Sequence, residues 1–314
     1  GRFLPDRYVE GTCPVCGYAD ARGDQCDNCG NLLDAVDLIN PRSKTDGSTP
    51  VIRETEHYFL NLPAFIDELR AYLNDPVKAQ TWRPNVLRVS QNKVEDLKGR
   101  PITRDIAWGI AVPLEGWEDK RMYVWFEAVM GYFTASVEWA RNSGQPDAWK
   151  RWWYNPEAKI YNFIGKDNIE FHTIIWPAEL KGIDGLYAAD GDGPISLPYD
   201  VPANEFMNIE GQQFSKSRNW AIWVPDILDR YDPDPIRYYI AMTFPESRDS
   251  DWSWDGFVTR NNTELLAAWG NLVNRVLKFA HRHFDGAVPD SGALRAMDEE
   301  IISKVEGGFE TIGG

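Results

Sequence analysis

An α/β fold with a metal-bearing knuckle before it and an all-α segment after it is what the sequence predicts, on three observations. All four cysteines fall in residues 1–55, in two Cys-x-x-Cys pairs. From about 101 to 209, runs such as "RMYVWF" and "KIYNFIG" read as strands and alternate with a helix-like "NIEFHTIIWPAELKG". From 225 to 284 the pattern is helical, through "VPDILDRY", "DPIRYYIAMT" and "WDGFVTRNNTELLAAWGNLVNRVLKFAHRHF", so the all-α segment begins near Asp255.

Length and composition set the bounds. The 314 residues suffice for two or three domains, and 43% of them are apolar, the balance of a globular protein. No apolar run approaches the ~20 residues that span a bilayer. The N-terminal "GRFLPDRYVEGTCP" lacks the regions of a signal peptide, so the cytoplasm is the expected compartment. Both ends read as cut, since the chain opens without Met and stops just after a helix-like "AMDEEIISKVEGG". A net charge of −15 excludes a general nucleic-acid coat, so any such contact must be local, as at Arg275, Lys278, His281 and Arg282.

The first element is the cysteine cluster, Cys13-Pro-Val-Cys16 and Cys26-Asp-Asn-Cys29, with Gly17 and Gly30 following the pairs. Thiolates so spaced on tight turns take adjacent corners of a tetrahedron, and the spacing points to one structural Zn²⁺ with four ligands and no open position. Two disulfides are the alternative, and nothing suggests an oxidising compartment for them. Between positions 11 and 34 there are too few apolar residues to fold by burial alone, whereas a structural zinc contributes roughly 10–16 kcal/mol of apparent binding energy. Within 56–100, "LPAFIDELRAYL" predicts a helix with Pro63 in its first turn and Phe65, Ile66, Leu69, Tyr72 and Leu73 on one face.

In the α/β segment three stretches carry chemically suggestive residues: "RDIAWG" (104–109), "VWFEAVMGY" (124–132) and "FIGKDNIEFH" (163–172). In the last, a strand ends at Gly165, so Lys166 and Asp167 meet the start of a helix at the carboxyl edge of a sheet, where α/β folds bind ligands. Read alone, Gly165-Lys166-Asp167 is more readily a simple turn and helix cap, and it lacks Walker spacing. After the strand-like Glu205–Ile209, "QQFSKS" isolates Lys216 between Ser215 and Ser217, which alone reads as a polar surface turn.

Taken in order, "FLPDRYVEGTCPVCG", "VWFEAVMGY", "FIGKDNIEFH", "FSKS", "DPIRYYI" and "WGNLVNR" resemble the methionyl-tRNA synthetases, class I aminoacyl-tRNA synthetases, over nearly all of the chain. "FSKS" is similar to that family's KMSKS signature. The resemblance implies the second half of a Rossmann-type parallel sheet at 101–209, preceded at 1–100 by a connective insertion whose zinc knuckle spans 11–34. It further implies a signature loop and stem-contact region at 210–254 and the first helices of an anticodon-binding domain at 255–314. The reaction implied is ATP-dependent activation of L-methionine to methionyl-adenylate, with Mg²⁺ accompanying the ATP, then transfer to the terminal adenosine of tRNA(Met).

Residue by residue, the resemblance places Trp125, Ala128, Tyr132 and His172 around methionine, and aromatic walls do suit a polarizable thioether. Gly165 and Asp167 would hold the ATP ribose. Arg104 would reach the phosphates, although a salt bridge to Asp105 is its plain alternative. Lys216, with Ser215 and Ser217, would serve the triphosphate. Asn271 and Arg275, four apart on one helical face, match the anticodon-recognising pair, and a solvated polar face would look the same.

The chain departs from the family in several places. No His-x-Gly-His occurs, so the half of the core with the HIGH motif is absent and the 314-residue chain is expected not to make adenylate itself. Gln213 replaces the first signature lysine, Val129 a proline, Asn168 an apolar pocket residue, and Glu127 lengthens an aspartate. Two alternatives stay open: a catalytically silent zinc-containing tRNA-binding module, and a class I synthetase for leucine, isoleucine or valine. The latter carry a large editing domain, for which residues 30–100 leave no room.

Overall fold

The computed structural model describes residues 3, 4, 6–24, 26, 28, 29, 31, 33–189, 192–216 and 218–313. The chain forms two compact units, Gly1–Glu205 and Phe206–Gly314.

The first unit opens on a three-stranded antiparallel sheet in which Val9–Thr12 lies between Ala21–Arg22 and Ile39–Ser43. Its core is small: Val9, Ala21 and Leu38 are buried together with Cys13 and Cys26. Three helices follow, Ile66–Leu73, Pro76–Thr81 and Pro84–Val94. The last two begin with proline, whose missing N–H costs nothing in a first turn. Leu69 and Leu73 are buried as the helical period predicts, against Ile169, Ile174, Ile175, Val201 and Ala203.

Polar side chains of the same helices grip the backbone that follows. Tyr72 Oη donates to the Pro198 carbonyl, Trp82 Nε1 to that of Tyr199 and Arg83 Nη1 to that of Ala203, each at 2.7 Å. These bonds set the strand Ala203–Asn204, which pairs in parallel with Ile164–Gly165.

The α/β segment departs from the expected element lengths for identifiable reasons. Of "RMYVWF" only Arg121–Met122 is strand, because its antiparallel partner Thr103–Arg104 is two residues long. The chain then enters the helix Val124–Asn142, which buries Val129, Phe133 and Ala140. The helical period of those three outweighs the β-branched and aromatic character of the first residues. Of "KIYNFIG" only Ile164–Gly165 is strand, with Tyr161 adding a single parallel bridge to Asp200.

The segment expected as one helix from 168 is three pieces: a 3₁₀ turn at Lys166–Asn168, a π-helical turn at Phe171–Ile175 and the α-helix Trp176–Ile183. Pro177 accounts for the break. It has no N–H for the carbonyl four residues back, and a widened turn makes room for its ring.

This last helix carries Glu179, 5% exposed between the fully buried Ala178 and Leu180. Among the described residues neither carboxyl oxygen has a hydrogen-bond partner. Burial pushes its pKa up to about 9. The folded state therefore holds a proton that the unfolded chain releases near the ordinary glutamate value of 4.5, so stability is full below that pH and falls as pH rises toward 9. In that window the wild-type chain is expected to lose about 1.4 kcal/mol per pH unit relative to Glu179→Gln. Unfolding midpoints of the two at several pH values check this, and parallel curves would refute it.

In the second unit Met207–Ile209 pairs in parallel with Ser250–Trp252. Ile209, Ile227, Ile236, Tyr239, Trp252 and Phe257 form its core. Ser253 caps the helix Trp254–Arg260 by accepting from Gly256 N at 3.1 Å. The helical path continues through a π-helical stretch at Asn261–Gly270 to Asn271–Phe284, and a further helix runs from Ala296 to Gly313. No helix among the described residues is long and apolar enough to cross a membrane.

Candidate functional site

The four cysteines converge. Their sulfurs all lie within 4.8 Å of one another. Cys13 and Cys29 Sγ are 3.9 Å apart, Cys16 and Cys26 Sγ 3.6 Å. A tetrahedral ion with metal–sulfur bonds of about 2.3 Å sets its ligands about 3.8 Å apart, between these two values. Disulfides need ~2.05 Å, and all four thiols are free.

The donors around the sulfurs fit ligand duty. Asn31 Nδ2 donates to Cys29 Sγ at 3.2 Å, Asn28 Nδ2 to Cys16 Sγ at 3.6 Å and Val15 N to Cys13 Sγ at 3.4 Å. The Asn31 side chain pulls the Cys29 thiol down to about 6, and Asn28 lowers that of Cys16. Burial pushes Cys26 up to about 11, so that corner needs the charge of a cation to ionise. Gly17 turns the chain at φ 75°, where its N–H returns to the Cys13 carbonyl. Gly30 lies outside the described residues.

At the end of the strand Ile164–Gly165, the Asp167 carboxylate folds back over Gly165. A Cβ on Gly165 would stand 2.8 Å from Asp167 Oδ1, so a side chain there would displace the carboxylate. Asn168 Nδ2 donates to the same oxygen at 3.1 Å. Asn168 therefore spends its amide on Asp167, although its position suggested a pocket wall. Lys166 Nζ reaches Glu205 Oε2 at 2.7 Å, and Asn85 Nδ2 donates to the other oxygen of Glu205 at 3.0 Å.

Beside this loop, Trp125, Ala128 and Tyr132 share one face of the Val124–Asn142 helix and His172 sits in the π-helical turn. His172 is 5% exposed. Its Nδ1 lies 3.0 Å from the Asn168 carbonyl and its Nε2 2.9 Å from Tyr132 Oη. A carbonyl only accepts, so Nδ1 carries the hydrogen. Burial lowers the pKa of the ring, which makes the neutral form with Nε2 accepting from Tyr132 the stable one. Trp125 meets Phe171 edge to face at 5.6 Å, and Tyr132 lies against Trp176 at 6.3 Å. Phe171, Trp176 and the Asn168 carbonyl belong to this group and were not singled out from sequence. The four-residue step from Asn168 to His172 was the available signal.

Arg104 lies elsewhere in the same unit. Its guanidinium stacks 3.9 Å from the Tyr123 ring centroid and donates to the carbonyls of Pro101 and Thr103. Asp105 pairs instead with Lys120 at 2.7 Å and His57 at 3.2 Å, so the neighbouring-salt-bridge alternative does not describe Arg104. Arg104 lines a cleft of about 350 Å³, and neither Gly165 nor Asp167 is on its wall.

In the second unit Ser215 and Trp220 exchange backbone hydrogen bonds at 2.8 and 2.9 Å, closing a tight turn with exposed Lys216 inside it. Ser215 Oγ accepts from Arg218 N at 3.3 Å, and the Trp220 indole donates to the Ile209 carbonyl at 3.2 Å. Asn219 takes the left-handed conformation, φ 52°, that asparagine tolerates. Ser217 lies outside the described residues. Asn271 and Arg275 are exposed one turn apart, with Asn271 Nδ2 donating to the Ala267 carbonyl at 2.9 Å.

The family model described as "tRNA synthetases class I (M)" matches residues 1–277. A protein of Thermomicrobium roseum named Methionine--tRNA ligase is 58% identical over 99% of this chain and 52% of its own length. One of Kineococcus radiotolerans with the same name is 56% identical over 100% of this chain and 53% of its own. A crystal structure of Mycobacterium tuberculosis methionyl-tRNA synthetase bound by methionyl-adenylate is similar with a TM-score of 0.67 and 27% identity, over 86% of this chain and 51% of that one. The chain thus spans about half the length of the relatives it matches.

Proposed function

Because this chain belongs to the tRNA synthetases of class I (M), we propose that it is the part of a methionine–tRNA ligase that holds one side of the active site, the zinc knuckle and the signature loop. The observation that supports this most is 58% identity across nearly the whole chain to a protein named for that activity. The reaction would join methionine to ATP as methionyl-adenylate with release of pyrophosphate, then pass the methionyl group to the terminal adenosine of tRNA(Met). The silent-module and leucine, isoleucine or valine alternatives have no such support.

The residues divide the work by their chemistry. Trp125, Ala128 and Tyr132 wall the methionine side chain, and neutral His172 fixes the Tyr132 hydroxyl. Gly165 lets the backbone approach the nucleotide, and Asp167, steadied by Asn168, accepts from the ribose hydroxyls. Arg104 and Lys216 supply positive charge to the phosphates, where charge develops in the transition state. Mg²⁺ would enter with ATP. Cys13, Cys16, Cys26 and Cys29 would hold one Zn²⁺ in a purely structural role, and Asn271 and Arg275 would meet the anticodon.

Methionine-dependent ATP–pyrophosphate exchange by the full-length protein tests the reading. Exchange with leucine or valine but not methionine rejects it. Tyr132→Phe strands the buried Nε2 of His172, so the KM for methionine is expected to rise about tenfold, roughly 1.4 kcal/mol. An unchanged KM for ATP checks that the effect is confined to the amino-acid side.

A further inference from the structure

The strand pair that carries the Gly165–Asp167 loop is very short. Ile164 and Gly165 face Ala203 and Asn204, and the ladder ends there. So short a pairing does little to fix the chain beyond it, since even full two-stranded hairpins are marginal in water. The next residue on each strand, Lys166 and Glu205, carries the pairing one step further through side chains, Nζ to Oε2 at 2.7 Å.

Glu205 is itself held. Asn85 Nδ2 donates to its other oxygen at 3.0 Å, and Arg83 Nη1 donates to the Ala203 carbonyl at 2.7 Å. Both donors stand at the start of the Pro84–Val94 helix, which buries Val86, Ser90 and Val94. The carboxylate that receives Lys166 is therefore anchored to a packed helix as well as to its own strand. Its side chain is only 17% exposed, so the pair is screened far less than one on the open surface.

A lysine after a glycine at the carboxyl end of a strand invites the reading of a phosphate ligand, as in P-loops. The contacts around Lys166 give its ammonium a different task. On one side of it, Gly165 leaves the space that the Asp167 carboxylate occupies, 2.8 Å from where a Cβ would stand. On the other side, Asn168 Nδ2 steadies that carboxylate at 3.1 Å. Lys166 lies between the two residues proposed to hold the ribose, so tying its side chain to Glu205 sets the backbone of both. We propose that Lys166 is a positioning residue, whose ion pair with Glu205 holds the Gly165–Asp167 loop in the shape that receives the nucleotide, and that it does not bind the phosphates. That the nucleotide is ATP rests on the ligase reading, whereas the restraint on the loop rests on the geometry of the pair.

The test uses the full-length protein with Lys166→Met, Glu205→Gln and the charge-reversed pair Lys166→Glu/Glu205→Lys. In methionine-dependent ATP–pyrophosphate exchange, each single variant is expected to raise the KM for ATP about tenfold, with kcat within about threefold and the KM for methionine unchanged. The reversed pair should recover most of the loss, because the Asn85 amide can turn its oxygen toward a lysine at position 205. A merely structural lysine would move both KM values together, and a phosphate ligand would lower kcat without recovery in the reversed pair; either result overturns the proposal, as does an unchanged KM for ATP. Where the wild-type protein shows no methionine-dependent exchange, the ligase reading fails, and the dissociation constant of ATP measured by calorimetry carries the same comparison. Weakening in the single variants that the reversed pair recovers supports the positioning role there, and a protein that binds no ATP overturns both.

Discussion

Lys216→Ala in the full-length protein is expected to slow adenylate formation by about 10²–10³-fold while leaving methionine binding nearly unchanged, the signature of losing one donor to transition-state charge. The loop's construction makes this substitution clean. Main-chain bonds between Ser215 and Trp220 close the turn, and the Trp220 indole ties it to the Ile209 carbonyl. None of these uses the Lys216 side chain, which is exposed, so its removal deletes a charge without opening the turn. By the resemblance, Gln213 replaces the first signature lysine, so no neighbouring signature ammonium would cover the loss. Pre-steady-state measurement of adenylate formation beside methionine titration separates the outcomes. An equal loss of methionine affinity would mean that Lys216 organises the ground state instead.

The sequence disclosed chemistry more readily than geometry. Cysteine spacing announced a four-sulfur cluster able to hold a metal, because two Cys-x-x-Cys turns have few other uses, and the sulfurs do meet. The helix Val124–Asn142 and the pairing of Tyr132 with His172 were harder to read, since an aromatic at helical spacing is ordinarily core. Pro177 sits in the middle of a good helical pattern, and only the structure shows the chain absorbing it as a π-helical turn that carries His172. Contacts far apart in sequence were not legible at all. That Asn85 and Lys166 would share Glu205, or that Tyr72 and Trp82 would grip residues 198 and 199, depends on tertiary packing that local pattern does not encode. Asn168 is the instructive case. By position it belonged to the amino-acid pocket, but its amide can satisfy itself on the adjacent Asp167 carboxylate, and a short polar side chain next to an acceptor does so.

Removing the metal from the cysteine cluster is expected to unfold the Val9–Ser43 sheet while leaving both helical segments intact. Among the described residues, the buried apolar content of that lobe is Val9, Ala21 and Leu38 beside Cys13 and Cys26. At about 1.5–3 kcal/mol for each large side chain, burial falls far short of the ~1–2 kcal/mol of backbone entropy that each of about 35 ordered residues loses. Roughly 10–16 kcal/mol of apparent zinc binding exceeds what those side chains contribute together, which makes a bound metal the largest single stabilising contribution open to the lobe. The helices have their own support, with Leu69, Leu73, Trp82, Val86 and Val94 packed into a separate core. Treatment with a strong chelator should therefore release one zinc per chain and abolish hydrogen-exchange protection at Cys13 N and Gly23 N, whose bonds to Tyr18 and Val9 close the lobe. Amides of the Pro84–Val94 helix should keep theirs. Protection persisting at Cys13 and Gly23 in metal-free protein would show that the lobe folds on its own packing. Cys26→Ser should reproduce the chelated state, because Cys26 is a fully buried corner of the cluster and a neutral hydroxyl cannot replace its thiolate.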